Sequence, residues 1–230
     1  MYRVKASFEL FSLSLRKSSA LFGTTVIGYL LLQFRGLEFL ELIAGKTVFN
    51  VQSAPFAFPF FWYWMLIWPS IVLFPLMYLF KEGVSEQFVL AGCSRIKYWA
   101  FRFCVFGIST AVLDLIFFSF FKIFLIYIAL TAVVIFTGGS ILITSIWLLL
   151  ALSQKIEISF FCAILFPVIG MNSFIKLLPA NFLMPVRAQE AGLMWWQVLL
   201  IETVYLVVIF VIGCIFSYGI EYKKGEIDER

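Results

Sequence analysis

The chain has 230 residues, of which 63% are hydrophobic and only 13% charged, with a formal net charge of +4. Soluble domains carry about 25% charged residues, so these side chains are too few to coat a soluble particle of this size, and the composition excludes a water-soluble globular protein. The small positive excess requires no nucleic-acid partner, because anchoring on an anionic inner leaflet accounts for it.

About 20 apolar residues cross the ~30 Å hydrocarbon core of a bilayer. Six stretches approach or exceed that length: 18–34, 59–80, 103–121, 124–152, 158–177 and 197–219. The expected fold is therefore all-α, a single integral membrane domain over 1–230 with six transmembrane helices. Ahead of the first span, Val4, Phe8, Phe11 and Leu15 share one side, with Arg3, Lys5, Arg16 and Lys17 around the other. That pattern fits an amphipathic helix lying in the membrane interface. These residues are polar and basic and lack a short apolar core with a small-residue cleavage site, so no cleaved signal peptide is expected. Span 18–34 is the most polar of the six, with several hydroxyls and two glycines.

The segment 35–59 contains Gly45-Lys46-Thr47, which resembles the end of a phosphate-binding GxxxxGK[ST] loop. The pattern requires Gly at position 40, where this chain has Leu40, and a strand-to-helix setting. No nucleotide site is expected there.

Between spans 59–80 and 103–121 lies KEGVSEQFVLAGCSRIKYWAFR (81–102), with six charged side chains between two nearly charge-free flanks. Val84, Phe88 and Ala91 recur at helical spacing, with Ser85, Glu86 and Gln87 on the same two turns. Gly92 stops that short helix, and Ser94 is placed to cap the next, which enters the membrane through Arg95, Lys97, Tyr98, Trp99 and Arg102. Asp114 lies deep within span 103–121. Span 124–152 is over-long and carries Gly138-Gly139-Ser140, so a helix break or kink there, or a steep tilt, is expected. The segment 178–196 is apolar but interrupted by Pro179 and Pro185 and ends on Trp195-Trp196, as short helices dipping into or lying on the outer leaflet would be. Glu202 sits near the start of the last span. Asp114 and Glu202 are the two intramembrane acids, and such groups usually face a bundle interior, a partner or a water-filled path.

With six spans and the N-terminus inside, the inner loops and ends carry Arg3, Lys5, Arg16, Lys17, Lys81, Arg95, Lys97, Arg102, Lys155, Lys223, Lys224 and Arg230. The outer ones carry Arg35, Lys46, Lys122, Lys176 and Arg187. Basic residues collect on the cytoplasmic side, so both termini and 81–102 are expected there, in a cell-membrane, multi-pass chain. Cys93, Cys104, Cys162 and Cys214 are scattered, mostly within apolar runs, and are expected to be buried small hydrophobes with no metal or disulfide spacing. The chain has no His, the commonest general base and a common metal ligand, and no HExxH or GxSxG. No catalytic residue and no bound cofactor or metal is expected.

Taken with the stretch EQFVLAGCSRIKYW (86–99) and the interrupted segment between the last two spans, this layout resembles the permease subunit of ABC-2 type exporters. The small size and aromatic-rich spans are most similar to the bacteriocin and lantibiotic self-immunity subfamily. The resemblance implies that Val84, Ser85, Glu86, Gln87, Phe88 and Ala91 form a coupling helix seated in a separate cytoplasmic ABC ATPase subunit. That partner would bind ATP and Mg²⁺, and a second permease subunit, identical or related, would complete the pathway. It further implies export of an amphipathic peptide or lipid-like substrate along a path lined by Phe, Trp and Leu, with membrane lipids around it. Two other classes are a non-transporting immunity or scaffold protein, which would tolerate polar changes at 84–91, and a lipid-modifying enzyme, which would need a cluster of acids or a nucleophile that these residues do not assemble.

Overall fold

A computed structural model describes residues 60–78, 80, 94–119, 127–171 and 175–228. The N-terminal interfacial helix, span 18–34, the segment 35–59 and the 84–91 helix with Val84, Ser85, Glu86, Gln87, Phe88 and Ala91 lie outside these residues. The described elements are all helical: α1 (Phe60–Tyr78), α2 (Arg95–Ser119), α3 (Tyr127–Leu150), α4 (Ile156–Leu165) running into a 3₁₀ turn (Phe166–Val168), α5 (Pro179–Leu183), α6 (Pro185–Glu190) and α7 (Trp195–Asp228). Among the described residues, three helices are long and apolar enough to cross a membrane: Arg95–Ser119, Leu130–Leu150 and Trp195–Gly219. The 34-residue α7 is about 51 Å long at 1.5 Å per residue, well beyond the hydrocarbon thickness. Ser94 caps α2 as its position predicts, its hydroxyl accepting from the Lys97 N–H at 3.3 Å.

Side-chain pairs fix the running directions. Down α2 and back along α3, Phe106 meets Trp147, Thr110 meets Thr144 and, two turns further on, Phe118 meets Phe136, an antiparallel register. Ser70 of α1 meets Thr144 while Leu66 and Gly139 approach each other, so α1 and α3 run parallel. Tyr63 bonds the Ile164 carbonyl and Tyr78 the Glu157 carboxylate, which sets α4 antiparallel to α1. Trp99 and Phe103 of α2 pack on Gly213 and Phe210 of α7, again antiparallel. Successive long apolar segments therefore alternate in direction. The central helix is α3, which touches α1, α2, α4, α5 and α7.

The expected span 158–177 is not one continuous helix. Pro167 has no N–H to give the Ala163 carbonyl, which accepts from Phe166 instead, and the chain tightens into the 3₁₀ turn. Gly170 then adopts φ +75°, with Leu178 folded against it where a Cβ would stand. Ile156–Val168 thus rises only about 21 Å, less than a bilayer core. The chain returns through α5 and α6, and residues 179–184 are buried in protein. Leu183 reaches Gly139, about 18 Å from either end of α3. Irregular backbone at such depth is tolerable only when protein surrounds it, as here.

The break expected at Gly138 and Gly139 is absent, and α3 runs through both without interruption. Their role is close approach: a Cβ on Gly138 would overlap the Glu202 carboxyl group, and one on Gly139 would stand 2.9 Å from Leu183 Cδ2 and 3.1 Å from Leu66 Cδ1. Neighbouring helices supply the confinement that a lone Gly-Gly pair lacks. Three of the cysteines also depart from expectation, and Cys93 lies outside the described residues. Cys104 and Cys162 are exposed on the outer, apolar surface of the bundle and Cys214 is half-buried, all as free thiols, because a small thiol is tolerated against lipid as readily as in a core.

Candidate functional site

The three-helix seam between α1, α2 and α3 carries a linked set of interior polar groups. Thr110 and Asp114 lie one turn apart on α2, and Ser140 and Thr144 one turn apart on α3, so both pairs share the facing stripes. Thr144 is the node. Its hydroxyl lies 2.9 Å from the Ser70 hydroxyl and 3.3 Å from that of Thr110, and donates to the Ser140 carbonyl at 2.9 Å. One buried hydroxyl thus ties three helices together.

One turn further along, Asp114 is 0% exposed. Its carboxyl group faces the Ser140 hydroxyl and the Trp68 indole, without reaching hydrogen-bonding geometry with either. The Trp68 ring packs on Phe117 at 5.4 Å, which holds the indole over the carboxyl. Glu202, the second sequence-predicted acid, is 2% exposed, and neither of its oxygens has a hydrogen-bond partner. It fills the notch that Gly138 leaves. The two acids do not form a dyad. Asp114 faces Ser140 and Glu202 covers Gly138, and two residues turn a helix by about 200°, so they occupy different sides of α3.

Arg102, placed by its sequence at the membrane entrance, is instead 5% exposed. Its guanidinium stands 5.6 Å from the Tyr98 ring centroid and donates to the Met77 sulfur at 3.1 Å. It is 12 residues, about 18 Å, from Asp114 along α2 and cannot pair with it. Outside the spans, Arg187 is buried at the α6 turn and donates to the Met171 carbonyl. Burial pushes its guanidinium below the ordinary arginine value, and the nearby Glu190 works against that shift. Among the described residues, no three His, Cys, Asp or Glu side chains gather as a metal centre. The hydroxyl seam went unread in the sequence, though its signal is there: Thr-x₃-Asp facing Ser-x₃-Thr within apolar spans.

Gly138 distinguishes a notch from a hinge by the sign of one substitution. If glycine weakened α3, Gly138→Ala would stabilise it by about 1 kcal/mol through helix propensity. Because the Glu202 carboxyl occupies the space but ends a flexible side chain that can shift, we expect Gly138→Ala to lose that gain and fall between neutral and about 1 kcal/mol destabilised. Equilibrium unfolding in mixed micelles reads the sign, and a stabilised variant would remove the notch.

Among the described residues, three membrane-length helices, α2, α3 and α7, two of which also border the buried polar seam, mark a multi-pass α-helical membrane protein. No family model, curated protein or solved structure matches the chain.

Proposed function

We propose that this chain is the permease subunit of an ABC-2 type exporter, working with a separate cytoplasmic ATPase that binds ATP and Mg²⁺ and with a second permease subunit. In this proposal the chain has six spans with both termini cytoplasmic, and 84–91 is the coupling helix. The observation that carries the reading is the broken fifth apolar segment: α4 stops short and 179–184 folds back into the bundle before α7. A membrane-dipping return between the last two spans is a feature of the layout that the sequence resembles. The alternating directions of α1, α2, α3, α4 and α7 are compatible with the same topology.

The mechanism is mechanical. ATP-driven closure of the paired ATPases would push on 84–91, and α1 and α2 are the helices attached to either end of that segment. Both converge on α3 through Ser70, Thr110 and Thr144, so a push on either would be felt by the whole bundle and tilt it between inward- and outward-facing states. The abundant Phe, Trp and Leu suit an amphipathic peptide or lipid-like substrate, whereas a conducting ion path would need more polar lining.

The test is isolation of the tagged chain from its native membrane in mild detergent, with mass spectrometry of what accompanies it. A P-loop ATPase should co-purify, and Phe88→Asp should lower that recovery about tenfold or more, since a buried Phe contributes about 1.5–3 kcal/mol to docking, while insertion stays intact. A second permease of related sequence would identify a heterodimer. Recovery of the chain alone, under several extraction conditions, would remove the motor and leave an immunity or scaffold protein.

A further inference from the structure

Asp114 poses a charge problem for as long as it is ionised. Its fully buried carboxyl group faces two neutral groups, the Ser140 hydroxyl and the Trp68 indole. Among the described residues, the helices packed on α2 bring it no counter-charge. From α1, the titratable side chains are Tyr63 and Tyr78, engaged with the Ile164 carbonyl and Glu157 near opposite ends of that helix. Leu130–Leu150 of α3 contains no ionisable residue. The titratable groups of α7 within Trp195–Gly219 are Glu202, Tyr205, Cys214 and Tyr218. Glu202 is turned to the Gly138 side of α3, Tyr205 bonds the Leu177 carbonyl, and Cys214 and Tyr218 lie three turns or more beyond Glu202. On α2 itself, Arg102 is three turns away and engaged with Tyr98 and Met77, Arg95 and Lys97 lie further still, and Cys104 is on the outer surface. A carboxyl group with no exposed surface is also out of reach of a partner subunit's cation. An isolated carboxylate within a bilayer is costly unless something neutralises it.

The groups that face it say which neutralising charge fits. An ionised carboxylate only accepts hydrogen bonds, whereas the neutral acid both donates and accepts; a hydroxyl does both, and an indole N–H only donates. The Ser140 oxygen is fully buried and without a hydrogen-bond partner, as are both Asp114 oxygens. A carboxylate there would hold a full charge and would make no use of the Ser140 oxygen as an acceptor. The neutral acid can direct its O–H to that oxygen and accept from the Trp68 N–H on its carbonyl. A single proton thus removes the charge and turns two facing acceptors into a donor and an acceptor.

We propose that Asp114 is an intramembrane proton-binding site, held as the neutral acid with its O–H on the Ser140 hydroxyl oxygen and its carbonyl on the Trp68 indole N–H. The site joins α2 to α3 and α1, lies apart from the 84–91 segment, and stands independently of the exporter reading. Water reaching this junction would draw the proton off and leave a carboxylate that the closed junction does not accommodate. One proton per chain is therefore taken from water as the junction closes and returned to water as it opens.

The sequence makes the test direct, because the chain has two aspartates, Asp114 and Asp228. Isotope labelling of the aspartate carboxyl carbon in the full chain carrying Asp228→Asn marks Asp114 alone. Infrared spectroscopy of that chain in lipid nanodiscs at about pH 7, where an ordinary aspartate is ionised, should show the C=O stretch of a neutral acid in the labelled band. A carboxylate band instead would overturn the site and mean that a cation from elsewhere pairs with Asp114. Unfolding the same chain at the same pH should convert the neutral band into a carboxylate band, and a neutral band that persists would show that the junction does not hold the proton. Trp68→Phe and Ser140→Ala should each move the C=O stretch to higher frequency, since each removes one hydrogen bond from the acid. A neutral band that neither change moves would reject the two partners. The first readout leaves the site unaltered, and if one of the two variants does not fold, the other decides.

Discussion

Trp147→Ala is expected to lower the stability of the bundle by about 3 kcal/mol, towards the lower end of the range for removing a buried indole. The ring is fully buried, stacked on Phe74 at 5.5 Å and met edge-on by Phe160 at 5.3 Å and Phe106 at 6.4 Å. It therefore joins α1, α2 and α4 to α3 in one contact group. Lipid tails are as apolar as this interior, so little of the loss is transfer free energy; most of it is the lost packing around a cavity that rigid aromatic neighbours cannot fill. The indole N–H also donates to the Ile156 carbonyl at 3.2 Å, which fixes the turn from α3 into α4. Trp147→Phe should recover part of the packing and none of that hydrogen bond, and so fall between the two. Equilibrium unfolding of the three proteins in the same micelles checks the order. A Trp147→Ala variant within about 0.5 kcal/mol of wild type would show that this cluster does not hold the bundle.

What the sequence made legible and what it hid follow from where the information resides. Long apolar runs with polar ends are local signals, so α2, α3 and α7 fall within a few residues of the expected spans 103–121, 124–152 and 197–219, except where α2 begins at Arg95 and α7 continues to Asp228. Both extensions are amphipathic or charged turns that hydropathy alone cuts off. The stop in span 158–177 was local too: Pro167 and Gly170 stand in the sequence, but the apolar run outweighed them. Gly138 and Gly139 show the opposite limit. A glycine that breaks a helix and one that admits a neighbour have the same letter, and Glu202 and Leu183, 64 and 44 residues away in sequence, decide which it is. Arg102 and Glu202 sit near span ends, where hydropathy predicts solvation at headgroup level. Tyr98 stands one turn from Arg102 on α2, but the burial of the two charges also depends on Met77 and Gly138, which only tertiary packing brings to them.

The junction of α2 with α7 turns on a single missing Cβ. The Trp99 indole lies directly against Gly213, so a methyl group there would overlap the ring, and its N–H donates to the Phe210 carbonyl at 3.1 Å. Phe103 continues the contact, edge-on to Phe210 at 5.3 Å. A flexible chain end could swing away from an added methyl, but a fused ring that is 1% exposed cannot move without leaving its seat. Gly213→Ala is therefore expected to cost about 3 kcal/mol, because overpacking is joined by loss of the hydrogen bond. Propensity works the other way, since Ala in place of Gly within α7 favours the helix by about 1 kcal/mol, so any net loss measures the clash. Trp99→Ala combined with Gly213→Ala should cost less than the two single changes together, with a coupling of about 1–3 kcal/mol. Additive costs would mean that the indole does not rest on Gly213. Under the exporter proposal this junction has a further consequence, because α2 begins shortly after the segment assigned to the ATPase, and Trp99 joins its first turns to α7. Gly213→Ala would then leave the ATPase bound but lower transport per ATP hydrolysed, a separation that Phe88→Asp, which removes docking itself, should not produce.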